Sequence, residues 1–330
     1  MRVAIIGAGV SGLCAAKELT NAGLSVTLFE KSRGVGGRLS TRYNGPFEYD
    51  HGAQYFTATQ DRFRELLSEA KKDRAVDRWD GRALYLKKGL LTTDTGGERW
   101  VGAPRMNSFA KHLAKGLDII KLHRVSSLNR DQNGLWTVGF EDSDGGAGQD
   151  RSGFDMVICT APPEQAVKLL PENFKDRELL ASAKMNACFA LMVGLKSPID
   201  LGWESLRVSD LPVAWLAINS AKPGRANNLG TLVVHAAPEW SNAHAKTNPE
   251  DVRAIMMEIT AALTRLDLTQ PEHISLHRWL YASVETSPEQ PFLSDPHKNL
   301  FAIGDWCQGG RVEGAAMSGF AVADYILQKR

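Results

Sequence analysis

Near the start of the chain, three glycines, an acid and an arginine have the types and spacing to hold a phosphorylated ligand. Gly7, Gly9 and Gly12 form the pattern G-x-G-x-x-G, and Glu30 follows about twenty residues on. Gly7 permits a tight turn, and Gly9 lets backbone approach a pyrophosphate with no Cβ in the way. Gly12 lets a helix pack closely on a strand. Glu30 can accept hydrogen bonds from both hydroxyls of a ribose. Ser11 and Lys31 stand beside these positions and join the candidate set. A second glycine run, Gly34-Val35-Gly36-Gly37, returns the chain to the nucleotide, where Arg38 can meet a pyrophosphate through paired hydrogen bonds.

The elements around these residues must place them together. Arg2 to Ile6 is short, apolar and rich in β-branched residues, which suits a buried parallel strand. Leu13 to Ala22 reads as a helix, and Ser25 to Phe29 as a second strand ending on Glu30. Strand, glycine turn, helix, strand and acid are the layout of a dinucleotide-binding βαβ unit. Its helix N-terminus offers free N–H groups and partial positive charge to phosphates. A tight βα turn that binds nothing is the plain alternative. The acid and the second glycine run favour the nucleotide.

The 330 residues can bury a sizeable core in one or two domains. The formal net charge is +1 with no long block of one sign, so neither nucleic acid nor an anionic membrane is expected as a partner. Cys14, Cys159, Cys188 and Cys307 are scattered without metal-ligand spacing. They read as small core residues in a reducing cytosol, and no metal is expected. No apolar run approaches the roughly twenty residues of a membrane helix. Met1-Arg2 followed by apolar residues to Ala16 has the outline of a signal peptide, but the nucleotide motif accounts better for the glycine turn inside it. A cytoplasmic location is therefore expected.

Further along, Asp61 to Lys72 has the spacing of an amphipathic helix, with Phe63, Leu66, Leu67 and Ala70 on one face. Arg82 to Thr92 reads as two strands turning at Lys87-Lys88-Gly89, and Met106 to Lys115 as a helix. Strands over 118–122, 125–128 and 135–138 are separated by polar turns at 131–133 and 142–148. Phe154 to Thr160 is a buried strand stopped by Pro162-Pro163, which start a helix over 164–170. Apolar strands follow at 186–196, 212–220 and 230–236, then a long helix over 249–266. The strand over 274–282 places His277, Trp279 and Tyr281 on one face by alternation. Trp279 and Tyr281 could form a flat wall for a planar substrate. A short strand ending at Gly304-Asp305 and a helix opening near Val312 close the chain.

An acid followed shortly by G-G-R, with Gly-Asp and a helix at the other end, resembles the flavin amine oxidase superfamily. The resemblance spans the chain, its specific motifs lying in 7–38 and 300–319. It implies an α/β fold: an FAD-binding Rossmann-type domain with a discontinuous second domain built on a mixed or antiparallel sheet plus helices, like that of amine oxidases and p-hydroxybenzoate hydroxylase. It further implies that the FAD domain takes 1–60, 101–165 and 293–330, and the substrate domain 61–100 and 166–292. By the same resemblance Ala53 and Gln54 pass the flavin ring, the backbone of Val125 meets adenine and Asp305, after Gly304, holds the ribityl or pyrophosphate region. The Val312 N–H would face flavin O2 and stabilise the negative charge of the reduced ring. Non-covalent FAD is expected, with Cys307 a minor candidate for attachment.

The wording Asp50-His51-Gly52-Ala53-Gln54-Tyr55-Phe56, with H-A-A-P-E-W-S, H-R-W-L-Y-A and G-D-W, is similar to the renalase branch of that superfamily. This implies an oxidase that converts 2- or 6-dihydro isomers of NAD(P) to NAD(P)+, passing hydride to flavin N5 and then electrons to O2 to give hydrogen peroxide. Many amine oxidases carry a lysine facing N5 on the strand that matches 186–196. Residues 188–195 hold none, while Lys184 and Lys196 flank the strand. A dihydropyridine that becomes aromatic on losing hydride needs no strong base, so ring stacking would do most of the work. No catalytic residue is named. The substrate-positioning candidates are Gln54, Asn186, His235, Trp279, Tyr281 and Trp306. Two rivals stand beside this reading: an amine oxidase or desaturase on the same scaffold, and a non-redox flavin-binding isomerase or partner-binding protein. The oligomeric state is not legible.

Overall fold

The computed structural model describes residues 1–141 and 149–329, so the polar turn expected over 142–148 lies outside the described residues. The opening strand Arg2–Ile6 stands inside a six-stranded sheet. Its order is Leu293–Asp295, Leu300–Ala302, Met156–Cys159, Arg2–Ile6, Ser25–Glu30, Asp118–Lys121. Arg2–Ile6 pairs in parallel with both neighbours, and only the edge strand Leu293–Asp295 is antiparallel. Such a strand is covered on both faces, which explains its unbroken apolar run. Val3 and Ile5 face a layer of helices that includes Leu13, Leu19 and Phe320. Ala4 and Ile6 face the other side, against Phe29, Trp136 and Phe154 of a core beneath a three-stranded sheet.

The helices of that first layer are Val10–Asn21, Asp61–Lys72, Asn107–Leu113 and Val312–Gln328. Asp61–Lys72 has the expected bounds and buries Phe63, Leu66, Leu67 and Ala70. These side chains join the core of the nucleotide layer. The buried Glu313 carboxylate of the last helix accepts from the N–H groups of Thr59 and Gln60 at 2.6 and 2.7 Å, tying the start of this helix to the end of the chain. In packing, then, residues 61–72 belong with the nucleotide layer, although the sequence reading put them in the substrate domain.

The second large sheet has seven strands, in the order His273–Thr286, Lys184–Leu195, Gly230–Ala236, Val213–Ile218, Ser205–Val208, Ala83–Lys87, Leu90–Thr93. Pairing is antiparallel except between Ser205–Val208 and Ala83–Lys87. That parallel pair joins distant segments, and no local pattern in the sequence marked Ser205–Val208 as a strand. Alternation along the strands gives the sheet two faces. Leu191, Val193, Leu216, Leu232 and Val234 pack with Val252 and Met256 of helix Pro249–Thr264. This helix starts on Asn248, whose side chain accepts from the Glu250 N–H, with Pro249 in its first turn. On the opposite face Met192 and Val233 meet Phe47 and Tyr49. Residues 47–56 thus run between the two sheets.

We propose the division into 1–60, 101–165 and 293–330 against 61–100 and 166–292 as the two domains. It leaves all strands of the six-stranded sheet in one set of segments and all strands of the seven-stranded sheet in the other. Helix 61–72 departs from this division by packing in the nucleotide layer, and so do Ala166, Leu170, Phe174 and Leu180, which lie in the core under the six-stranded sheet.

Candidate functional site

The glycine turn closes on itself as its spacing predicts. The Gly7 N–H donates to the Phe29 carbonyl at 2.8 Å, which brings the turn against the end of the second strand. Gly7 has a φ of +102°, and a Cβ there would lie 2.3 Å from Thr160 Oγ1. A Cβ on Gly12 would lie 2.4 Å from the Gly7 carbonyl oxygen, so helix and turn touch backbone to backbone. Gly9 differs: nothing lies within 4 Å of a Cβ built on it. This contrast separates two glycines needed by the fold from one facing open space at a helix N-terminus, where a phosphate can lie. The Ser11 hydroxyl in that first turn is buried without a hydrogen-bond partner.

Glu30 is buried at the end of its strand. Its carboxylate accepts from the Ala8 N–H and the Ser32 N–H, each at 2.8 Å. Each oxygen keeps acceptor capacity for a ribose hydroxyl. Lys31, next in the chain, is exposed. The Glu30 carbonyl accepts from His123 N–H at 3.0 Å, which brings the half-buried Val125 to the same end of the sheet. Gly36 N–H donates to the Ala8 carbonyl at 2.8 Å, so the second glycine run returns to the first, and Gly37 follows in an exposed position.

Arg38 and Asp305 meet directly. The guanidinium donates to both carboxylate oxygens at 2.8 and 2.5 Å, and also to the Ala282 carbonyl at 3.1 Å. The sequence reading aimed each of them at the ligand separately; the structure joins them in one bidentate pair, because opposite charges brought to one sheet end attract. Gly304 precedes Asp305, and its N–H donates to Ser318 Oγ at 3.2 Å. Val312 opens the last helix, and no side chain caps its N-terminus. Open space over Gly9, the orphaned Ser11 hydroxyl, the Glu30 carboxylate and an uncapped second helix start fit a dinucleotide lying across these motifs.

The second half of the site is a wall of planar side chains. Trp215, His235, Ala190 and His277 are register partners across four adjacent strands, so they share one face of the seven-stranded sheet. Trp279 lies beside His277, ring centroids 4.5 Å apart, and stacks on His51 at 5.0 Å. The His51 carbonyl accepts from Trp279 Nε1 at 2.9 Å and from His235 Nε2 at 3.1 Å. A carbonyl only accepts, so His235 carries its proton on Nε2. Burial is the main cause that pushes all three imidazoles to low pKa. His51 goes to about 3, helped by His277, Arg42 and His235. His235 goes to about 4 and His277 to about 4, the latter also beside Arg42.

Of the positioning candidates, His235 and Trp279 stand together in this wall. Gln54 is buried, and its amide is spent within the protein: Nε2 donates to the carbonyls of Asp50 and Gly52 at 2.5 and 3.1 Å, and Oε1 accepts from Lys222 at 3.2 Å. Ala53, half-buried, donates its N–H to the Arg38 carbonyl at 2.9 Å. Asn186 accepts from Asn242 at 2.6 Å, away from the wall. The pairing of Lys184–Leu195 with His273–Thr286 slips between Asn186 and Cys188, where Asn186 meets Ser283 and Cys188 meets Trp279. Tyr281 falls in this irregular stretch of the pairing and is half-buried, as His277 and Trp279 are, while Arg278 and Leu280 between them are exposed. Trp306 is 1% exposed in the core under the six-stranded sheet and donates to the Ala161 carbonyl at 3.2 Å; it has no surface to offer a substrate. Lys184 is the first, exposed residue of its strand, and no lysine follows to Leu195.

The sequence reading missed the charges behind the wall. Asp50 is buried. Its carboxylate accepts from Arg225 at 2.5 Å, Thr41 at 2.7 Å and the Met106 N–H at 3.0 Å, with Lys222 Nζ at 3.6 Å. Burial alone would raise its pKa, but Lys222 and Arg225 outweigh that and hold it low. Burial carries Lys222 the other way, down to about 7. The only available signal was an acid inside an apolar stretch, which demands a cation without saying which.

With this geometry in hand, likeness to known proteins can be read. A family model described as NAD(P)-binding Rossmann-like domain matches residues 5–70, and one described as flavin containing amine oxidoreductase matches residues 81–327. Protoporphyrinogen oxidase 2 of Arabidopsis thaliana is 43% identical over 68 residues, which is 21% of this chain and 13% of that protein. The fold matches cyclohexylamine oxidase from Brevibacterium oxydans with a TM-score of 0.76 at 16% identity, covering 99% of both chains. It matches reduced UDP-galactopyranose mutase with a TM-score of 0.77 at 11% identity, covering 100% of this chain and 94% of the other. These two show the shared fold. The cradle and the family matches together make FAD the cofactor. With the second model spanning most of its length, the chain belongs to the flavin containing amine oxidoreductase family.

Proposed function

We propose that the protein is a cytoplasmic oxidase of the renalase type, taking 2- or 6-dihydro isomers of NAD(P) to NAD(P)+ with non-covalent FAD. The bound FAD would supply the hydride acceptor, and O2, taking up the two electrons and the proton of that hydride with one further proton, would leave as hydrogen peroxide. Residues 49–56 lie along the flavin ring in this reading, and the His51–His277–Trp279 wall faces the substrate.

The observation that carries it is the character of the wall. Its rings are flat and uncharged at neutral pH, and its imidazoles, with pKa values near 3 and 4, are weak bases. A dihydropyridine releases hydride with help from its own ring nitrogen, so such a wall needs only to stack it in line. An alkylamine is protonated at neutral pH and must first lose that proton, for which these imidazoles are poorly suited. Cys307 is fully buried, and burial pushes its thiol far up, which supports a cofactor held without a covalent bond.

The test mixes purified, FAD-loaded protein anaerobically with NADH preparations enriched in the 2- and 6-dihydro isomers and follows the visible flavin band. Rapid bleaching by an isomer, but not by ordinary NADH or a panel of amines, is the expected result. Bleaching by an amine alone would transfer the assignment to the amine oxidase reading. No bleaching by any of them would overturn this reading and leave a flavoprotein whose substrate must be sought from its pocket.

A further inference from the structure

Lys222 is a second cation beside a carboxylate that already has one. Its side chain has 0% exposure, and its neighbour Asp50 is already matched by Arg225 at 2.5 Å. Arg225 is well supplied in its own right, donating to the carbonyls of Gly102 and Pro223 at 2.7 and 2.6 Å. Two cations thus face one carboxylate in a buried cluster. The Lys222 ammonium donates to Gln54 Oε1 at 3.2 Å, and lies 3.6 Å from the Asp50 carboxylate and 5.4 Å from the Trp79 ring centre. The charged and titratable groups around it are Asp50 on the segment between the sheets, Arg225 on its own loop and His235 on strand Gly230–Ala236.

Gln54 converts this contact into backbone geometry. Both hydrogens of its amide nitrogen hold carbonyls, those of Asp50 and Gly52. A flipped amide would point its N–H groups at the ammonium and its oxygen at two carbonyls, so Lys222 fixes which way the amide faces. We propose that Lys222 is a positioning residue: acting through the Gln54 amide, it holds the 50–54 backbone in the conformation seen here, and loss of its proton loosens that hold. The inference rests on the reading of residues 49–56 as the flavin-facing segment. Burial brings the lysine to about 7, which sets the change near neutral pH.

The experiment is a pH titration of the FAD-loaded protein from about pH 5.5 to about pH 9, with two readouts. One is the side-chain amide NMR signal of Gln54 in protein with isotope-labelled glutamine; the other is the absorbance of bound flavin. Expected is one step in the Gln54 signal with a midpoint about 7. The step is lost in Lys222→Met and in Lys222→Gln, two neutral variants of which either suffices if the other does not fold. A wild-type signal that stays flat, or a step that persists in the neutral variants, overturns the proposal. The flavin readout separates the two layers of inference. A Gln54 step accompanied by a flavin shift supports both. A Gln54 step with an unchanged flavin spectrum still supports the role of Lys222, but removes residues 49–56 from the ring.

Discussion

Arg38 and Asp305 lie 267 residues apart and are joined by two hydrogen bonds of 2.8 and 2.5 Å. The pair fastens the glycine loop that follows Glu30 to the Gly-Asp turn that precedes the last helix. It also reaches the second sheet, through the bond from Arg38 to the Ala282 carbonyl. Arg38→Met leaves the buried Asp305 carboxylate without its cation, at a cost of about 1–3 kcal/mol. FAD affinity should fall at least about tenfold. Chemical denaturation and FAD titration of the apoprotein read the two effects; an unchanged affinity would mean the pair only ties the segments together.

Gly9 and Gly12 should separate on substitution. Gly9→Ala adds a methyl to open space, so the apoprotein should lose less than about 1 kcal/mol while FAD affinity drops at least about tenfold. Gly12→Ala drives the methyl to 2.4 Å from the Gly7 carbonyl oxygen and should cost about 1–3 kcal/mol of stability as well. Melting curves of both apoproteins, set beside their FAD dissociation constants, check this. Equal destabilisation by the two would contradict the open cradle over Gly9.

Acid should act on the wall. The imidazoles of His51 and His235 have folded values near 3 and 4, below the ordinary value of about 6.5. The unfolded chain therefore binds their protons first as pH falls below about 6.5, and stability is lost progressively down to the folded values. His235→Gln should flatten the fall in melting temperature between about pH 6.5 and about pH 4 relative to wild type. A parallel pair of curves would rule out His235 as a contributor.

The two tryptophans named from sequence should behave oppositely. Trp279→Phe keeps a flat ring but removes the N–H that donates to the His51 carbonyl. Substrate binding should weaken by about 0.5–1.5 kcal/mol with FAD retained. Trp306→Phe removes the bond to Ala161 from the core and should lower stability by about 1–3 kcal/mol, with substrate binding unchanged. Flavin-reduction titrations and denaturation on both variants distinguish them.

Local residue chemistry was sufficient for the nucleotide half. The turn at Gly7, the close approach at Gly12, the acid ending the second strand and the helix opening at Val312 each follow from neighbours within one strand–turn–helix unit, so type and spacing alone carry them. Some bounds outside such units were legible from local apolar patterning as well: Gly230–Ala236 and Asp61–Lys72 have the bounds read from sequence. The packing partner of Asp61–Lys72 was not legible, since an apolar stripe says that a face is buried and not against what.

The substrate half was decided in three dimensions. The row Trp215–His235–Ala190–His277 depends on register between four strands, and the slip at Asn186–Cys188 depends on how two long strands bend past each other. The Asp50–Lys222–Arg225 cluster joins Asp50 to two cations distant from it in the chain, and their coupling is strong only once water is excluded. Pairing, burial and the pKa values that follow are properties of the assembled sheets. A sequence names the charges, but only the fold decides which of them must face one another without solvent.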